Sequence, residues 1–138
     1  MKRVTRIGGI FFKSKDPERL RQWYQVHLGI ESEGDSGASF HWREVDEPER
    51  KGFTVWSAFP QSTRYFEPSQ APFMINYRVA DLDWLLEQLR NEGIEIDPRI
   101  EEYEYGRFAW IMILKAIASS CGSRLRSRSN SLCRTRLW

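Results

Sequence analysis

The chain has 138 residues and a mass of 16.4 kDa, which suits one domain or two small repeats and excludes a multidomain assembly. No apolar run approaches the roughly 20 residues of a membrane span, and the N-terminal MKRVTRIGG lacks the apolar segment of a signal peptide. We therefore expect a soluble, cytoplasmic protein without a membrane partner. The net charge of +2 hides a division, since residues 1–112 carry 15 basic and 19 acidic side chains, whereas residues 113–138 carry 6 basic and no acidic ones.

The first predicted elements are a strand and a helix. Residues 4–13 contain RIGGIFFK, whose β-branched and aromatic side chains favour a strand. Asp16 and Pro17 favour a helix start, because an Asp side chain accepts hydrogen bonds from the free amides of a first turn and Pro needs no donor there. Gly29 suits the left-handed residue that ends a helix. The spacing predicts an apolar helix face made of Leu20, Trp23, Tyr24 and Leu28.

Two further strands and a second helix follow. Residues 38–43 and 53–59 are predicted strands, separated by a charged loop over residues 44–52. The order of strand and helix then returns, with a strand over residues 73–79 and Asp81 as the helix cap. The second helix presents an apolar face made of Leu82, Leu85, Leu86 and Leu89.

These elements form an internal repeat. Residues 10–16 align with residues 75–81, and the tripeptide GIE that follows each helix aligns after a one-residue slip. The repeat of about 65 residues predicts one module at about 4–60 and a second at about 73–112. Neither module can bury both faces of its sheet alone, so we expect the two to pack together around a cleft. The alternative is that any two capped amphipathic helices look alike.

The pattern resembles a known superfamily. Three segments carry the likeness, in this order: GGIFFKSKDPERLRQWYQVHLGIE, FMINYRVADLDWLLEQLRNEGIEID and YEYGRFAWIM. Together they are similar to the glyoxalase, bleomycin-resistance and extradiol-dioxygenase proteins, also called vicinal oxygen chelate proteins, and the likeness covers residues 4–112. It implies an α+β, glyoxalase-like fold in which two βαβββ modules form a curved mixed sheet around a small-molecule cleft, and it implies a homodimer.

Residues 113–138 depart from this resemblance. In the superfamily a segment of the type DPxGNxIEL ordinarily follows YGRFAWIM, but here ILKAIASSCGSRL follows. With permitted codons for residues 113–123, one added G before them changes the reading to DPEGNRIELWE. We hypothesise a one-base deletion, natural or artefactual, between Met112 and Ile113. The chain is then a glyoxalase-like domain over residues 1–112 with an altered final strand, followed by a basic tail translated out of frame.

The composition of the tail leads to separate expectations. Its last 20 residues contain six Ser, five Arg and no acidic residue, so they have little to bury and are expected to be mobile. A cationic Arg-Ser segment can bind nucleic acid through phosphate contacts. Out-of-frame translation explains the composition better, and we predict no nucleic-acid partner. Cys121 and Cys133 match no zinc spacing.

The resemblance also says where a metal would be held. Metal enzymes of the superfamily use a His or Glu seven residues before each capping Asp, and these positions hold Gly9 and Met74 in this chain. Neither residue is a ligand for a hard divalent ion. The Glu of the IEL segment, a further ligand, is absent after the change of frame. We therefore predict no metal and no other cofactor, and we assign no catalytic residue.

The sequence contains no other clear candidates for catalytic residues. His27 falls in the last turn of the first helix, where a His commonly faces the negative end of the helix dipole. His41 has no His partner nearby, and no nucleophilic triad or phosphate-binding loop is evident. The pair Gly8 and Gly9 lies inside a strand pattern, where it indicates a bulge or a close approach.

Aromatic and polar residues on the predicted strands form the candidate binding site. Alternation places Phe11 on the face of Gly9, and Asn76 and Arg78 on the face of Met74. Such a lining suits a partly aromatic ligand with one polar end, although aromatic residues in a small domain also form core. The predicted ligand contacts are Phe11, His41 (or Trp42), Trp56, Met74, Asn76, Arg78, Tyr103, Tyr105 and Trp110.

The predicted function is binding of a small, partly aromatic molecule in the cleft without a metal, as the likeness to bleomycin-resistance proteins implies. The alternative is a divalent-metal-dependent lyase or dioxygenase of the same superfamily, so whether the chain is an enzyme stays open. A third class, a nucleic-acid binder, would show salt-dependent binding that disappears on truncation after Met112.

Overall fold

The computed structural model describes residues 2–114 and 132–138. Within them, two helices accompany a seven-stranded mixed sheet that does not close into a barrel, which confirms the predicted α+β class and glyoxalase-like fold. The elements are β1 (Val4–Ser14), α1 (Pro17–Leu28), a 3-10 turn (Gly34–Ser36), β2 (Ala38–Arg43), β3 (Lys51–Pro60), β4 (Phe73–Val79), α2 (Leu82–Asn91), β5 (Ile96–Tyr103), β6 (Gly106–Leu114) and β7 (Leu132–Leu137).

Both helices begin at the predicted caps. The Asp16 carboxylate accepts a hydrogen bond from the amide of Arg19, and Asp81 accepts one from the amide of Trp84, each at 3.0 Å. These bonds satisfy amides that the first helical turn leaves without a partner. Gly29 ends α1 in the left-handed conformation, with φ of 67°, as its sequence position predicts.

The strand order is β2-β3-β1-β4-β7-β6-β5. The antiparallel pair β1 and β4 joins the two modules at the centre of the sheet. Beside it, β3 lies parallel to β1, and β7 lies parallel to β4, so the repeat found in the sequence is also visible in the topology. After its helix, module one contributes two strands and module two contributes three.

The strand β7 comes from the predicted tail. It lies between β4 and β6, where Thr135, Arg136 and Leu137 are buried. The expectation of a mobile segment with little to bury therefore does not hold for residues 132–138. The intervening part of the tail, residues 115–131 with Cys121, lies outside the described residues.

The helix α1 is less buried than its sequence predicts. Trp23 is 52% exposed and Leu28 is 60% exposed, and α1 has no fully buried residue. Tyr24 contacts the Trp56 ring of β3, with ring centroids 4.8 Å apart. Trp23 instead packs on His27 of its own helix, at 4.7 Å, which explains why the predicted face is buried only in part.

The two adjacent glycines of β1 form a bulge. The pairing register with β4 shifts between Ile7 and Gly9. A Cβ atom added at Gly8 would lie 2.9 Å from the Trp138 ring, and one at Gly9 would lie 2.8 Å from the Phe11 ring. The predicted bulge and close approach are both confirmed, since two aromatic rings occupy the space beside these glycines.

Candidate functional site

A cavity lies on the sheet face opposite the helices, at the junction of the two modules. Phe12 faces α1, where its ring packs on Trp56, so alternation turns Phe11 to the other face. In β4, Tyr77 packs in the core beneath α2, which turns Asn76 to the same face as Phe11. The cavity measures about 500 Å³, within the range of small-molecule sites. We call it the cleft cavity.

Both modules line the cleft cavity. Its aromatic rings are those of Phe11, Phe53, Tyr105, Phe108 and Trp138. Its polar side chains are those of Glu33, Ser39, Asn76 and Arg136. A second cavity, of about 590 Å³, shares Phe11 and Val55 with the first but is lined by module one alone, as far as the start of α1.

Five of the nine predicted contacts lie in or beside the cleft cavity. Arg78 borders it, because its guanidinium carbon lies 3.6 Å from the centroid of the Trp138 ring. Tyr103 stacks on Tyr105, with centroids 5.1 Å apart. Those that line the cavity directly are Phe11, Asn76 and Tyr105.

The other four predicted contacts lie elsewhere. Met74 and Trp110 are fully buried in the core cluster that also contains Phe11. Both residues therefore belong to the hydrophobic core, which is the alternative that the sequence left open for aromatic and apolar residues. His41 is exposed on β2, an edge strand of the sheet, and its ring touches only the outer side of the cavity wall, 6.0 Å from the Phe53 centroid. Trp56 faces α1 rather than the cavity, because the parallel register pairs Val55 with Gly9.

Sequence reasoning missed eight of the eleven lining residues, and four of these supply aromatic rings or the buried charge: Phe53, Phe108, Arg136 and Trp138. Phe53 and Phe108 lie on strands, and the alternation along each strand could have indicated them. Arg136 and Trp138 were missed because the tail was interpreted as an out-of-frame segment. The segment RTRLW has three polar residues followed by two apolar ones, so no alternation marks it as a strand.

Arg136 is the most unusual polar residue of the site. It is only 8% exposed, and its guanidinium carbon lies 3.7 Å from the centroid of the Phe108 ring and 5.5 Å from that of Phe11. Its Nε atom is buried and has no hydrogen-bond partner among the described residues. Burial lowers the pKa of the Arg136 guanidinium from its ordinary value, because the charged form loses contact with water.

Asn76 lies directly beside Arg136. The register pairs Gly9 of β1 with Asn76 of β4, and Asn76 with Arg136 of β7, so the three residues form a row across the sheet. Asn76 is 1% exposed, and its Oδ1 atom has no hydrogen-bond partner within residues 2–114 and 132–138. A buried amide oxygen without a partner is costly, which marks this position as one where a ligand donor would be favourable.

Trp138 forms one side of the aromatic lining of the cleft cavity. Its backbone amide donates to the carbonyl of Tyr77 at 2.8 Å, and its indole Nε1 donates to the carbonyl of Tyr105 at 3.3 Å. Its ring lies 5.1 Å from that of Phe108, centroid to centroid. The absence of a side chain at Gly8 leaves the space that this ring occupies.

Arg78 is held away from the cavity interior by its own partners. Its guanidinium stacks on Trp138 and also lies 5.5 Å from the centroid of Trp42, and it donates to the carbonyl of Phe53 at 3.3 Å. Burial lowers the pKa of Arg78, while the nearby Glu44 carboxylate acts in the opposite direction. Arg78 therefore supports the aromatic wall.

The residues at the expected metal positions, Gly9 and Met74, do not suit a divalent ion. Gly9 has no side chain, and the thioether of Met74 is buried in the core. Arg136 stands two strands from Gly9 in the same row, and its positive charge disfavours a cation nearby. In the part of the chain that the structure describes, no three His, Cys, Asp or Glu residues are grouped so that they could hold a metal.

The topology and the cleft define a class of protein fold. A central antiparallel strand pair relates two modules, and each module pairs its first strand with a parallel last strand. This is the glyoxalase-like fold of the vicinal oxygen chelate proteins, as the resemblance implied.

Particular solved structures share this fold. Methylmalonyl-CoA epimerase from Streptomyces coelicolor, a variant with one substitution in complex with 2-nitronate-propionyl-CoA, is 15% identical, with 97% of each chain covered and a TM-score of 0.57. Methylmalonyl-CoA epimerase from Mycobacterium tuberculosis is 13% identical, with 99% of this chain and 89% of that chain covered and a TM-score of 0.56. No protein-family model and no curated protein matches the sequence. These likenesses establish the fold.

The helices give one further result. Neither α1 nor α2, the two helices of the described residues, is long and apolar enough to cross a membrane.

Proposed function

We propose that the cleft cavity binds a small, partly aromatic molecule without using a metal ion. The observation that carries the proposal is the cavity of about 500 Å³ between the modules, with five aromatic rings around the buried side chains of Asn76 and Arg136. Apolar walls with a few buried polar groups are the usual form of a small-molecule site. Binding alone needs no catalytic residue, and none is assigned.

Metal independence is supported by the chemistry of the side chains. Gly9 and Met74 offer no hard donor, and the guanidinium of Arg136 would repel a divalent cation placed beside Gly9 and Asn76. The S. coelicolor epimerase variant is a complex with a CoA-linked nitronate. For the present chain, the ligand is inferred from its own cavity.

We also propose a homodimer, as the resemblance implies. The support is an apolar patch on α1, where Trp23, Val26 and Leu28 are exposed. Light scattering coupled to gel filtration should give twice the chain mass, and a single chain mass would contradict this proposal. A cytoplasmic location and the absence of a nucleic-acid partner stay predictions.

The binding proposal can be tested with two naphthalene probes. We expect 2-naphthamide and 2-naphthoate to bind the full chain in isothermal titration calorimetry with a stoichiometry of one. Ser39→Trp should weaken binding of both probes about 10-fold or more, because Ser39 lines the cavity and an indole would occupy the ligand volume. Ser62→Trp is the matched control, since Ser62 lies in the exposed turn after β3.

Two results would contradict the proposal. One is that neither probe binds, and the other is an equal effect of Ser39→Trp and Ser62→Trp. Elemental analysis of the purified protein tests the alternative activity in the same samples. One equivalent of zinc, nickel, iron or manganese, with probe binding lost on chelation, would favour the metal-dependent lyase or dioxygenase.

A further inference from the structure

We propose that the cleft ligand is a small aromatic carboxylic acid and that Arg136 binds its carboxylate. This inference rests on the proposed function, because it names the chemical class of the molecule that the cleft cavity takes.

Arg136 differs from the other arginines of the described residues in being buried without a carboxylate partner. Six arginines form ion pairs with Asp or Glu at 4.0 Å or less: Arg3, Arg6, Arg21, Arg64, Arg99 and Arg107. Arg136 forms none with any described residue, although it is more buried than all of them. A buried charge without a partner is costly, so a ligand that supplies the missing charge gains affinity.

No acidic side chain of the described residues forms an ion pair with Arg136. The Glu101 carboxylate acts on the guanidinium only at longer range, and it already accepts a hydrogen bond from the Tyr103 hydroxyl at 2.8 Å and lies 3.7 Å from Arg99. The last acidic residue in the sequence is Glu104, so no Asp or Glu occurs in residues 105–138. Every Asp and Glu side chain therefore belongs to the described part of the chain, and none of them pairs with Arg136. We expect the missing negative charge to come from another molecule.

The surroundings of Arg136 indicate what kind of anion fits. Phe108 covers one face of the guanidinium at 3.7 Å, which leaves the N–H groups in the plane of the guanidinium as its means of binding. Two parallel N–H groups match the two oxygens of a carboxylate. The rings of Phe11 and Phe53 continue the lining, so a flat apolar body attached to that carboxylate would contact them.

The other polar groups favour a single negative charge. Glu33 lines the same cavity, and its carboxylate disfavours a ligand with two charges. Asn76, beside Arg136 in the row, offers amide groups that can bond to a carboxylate oxygen or to a neighbouring hydroxyl. A monoanionic aromatic acid pairs with Arg136 and leaves no second charge without a partner, and a hydroxyl beside its carboxylate would donate to the Asn76 Oδ1 atom.

The test compares an acid with its neutral amide. At pH 7, calorimetry on the full chain should show 2-naphthoate binding about 10-fold to 100-fold more tightly than 2-naphthamide, because a hydrogen bond to a charged group contributes that much. Arg136→Gln should abolish the preference while retaining binding of 2-naphthamide. Arg19→Gln, on the exposed side of α1, should retain the full preference.

A second variant keeps the test independent of any effect of Arg136→Gln on folding. Asn76→Asp places a carboxylate beside Arg136 in the row, so it should pair with the guanidinium and abolish the preference for the acid. Equal affinities of the two probes for the natural chain, or a preference unchanged in Arg136→Gln or in Asn76→Asp, would overturn this inference and leave the proposed function in place. Failure of both probes to bind would overturn the proposed function itself.

Discussion

The two modules bury their helices to different depths. In module two, Leu85 and Leu86 of α2 pack with Ala109 of β6 and Leu137 of β7 in one buried cluster. In module one, α1 has no fully buried residue and meets the sheet mainly through the rings of Tyr24 and Trp56. Both helices begin at an aspartate cap and have a similar apolar spacing, but the face of α2 consists of four leucines, whereas that of α1 includes Trp23 and Tyr24.

The strands that face each helix add to the difference. Ala109 has a short side chain, which allows the leucines of α2 to approach the sheet closely. The sheet presents the larger rings of Phe12 and Trp56 to α1. A helical pattern therefore predicts where a helix forms, whereas the residues opposite contribute to how deeply it is buried.

The largest expected effect is on the stability of module two. Leu86→Ala should lower the free energy of unfolding by about 2–5 kcal/mol, because Leu86 is 1% exposed and its removal leaves a cavity. Leu28→Ala in α1 should change it by less than about 0.5 kcal/mol, since Leu28 is largely exposed. Urea denaturation measures both, and equal losses would show that the two helices are buried alike.

The helix caps should show a smaller difference. Asp81→Ala should lower the free energy of global unfolding by about 1 kcal/mol, because α2 contributes to the buried cluster and loses a cap. Asp16→Ala should have a smaller global effect and should instead speed amide exchange within α1. Hydrogen exchange followed by NMR separates the two effects. Faster exchange confined to the substituted helix, in both variants, would argue against a deeper anchoring of α2.

The smallest expected effect concerns pH. In module two, an ion pair connects α2 to β6. Arg107 Nη1 donates to Asp83 Oδ2 at 2.8 Å. This hydrogen bond lowers the pKa of Asp83 in the folded state, so the pair contributes stability above the unfolded pKa and loses it as the pH falls through the lowered value. Asp83→Asn should thus reduce the urea midpoint slightly at pH 7, and the reduction should disappear in acid. A reduction that is the same in neutral and in acidic buffer would contradict this account.

Local signals were enough to predict most of the fold. The aspartate caps, the glycine that ends α1 and the strands at residues 38–43 and 73–79 depend on neighbouring residues, and the structure places them as predicted. The strand β7 depends on β4 and β6, and β4 is more than 50 residues away in the sequence. Composition alone therefore gave the wrong expectation for residues 132–138. The one-base deletion stays a prediction that resequencing the gene at codons 112 and 113 would test.

The candidate site was predictable only in part for a similar reason. Alternation placed Phe11 and Asn76 on the correct face because each strand sets its own alternation. The register between β1 and β3 was not available from the sequence, and it is this register that turns Trp56 towards α1. Arg136 enters the site only through the pairing of β7 with β4, which no local pattern specifies.

The position of β7 has a consequence for synthesis of the protein. It is the last of the seven strands to leave the ribosome, yet it belongs between two strands made earlier. While residues 115–137 are being added, at about 5–20 residues per second, β4 and β6 of the nascent chain each lack a neighbour. Such unpaired edges can pair with other chains. Protection by a chaperone would matter most in this interval.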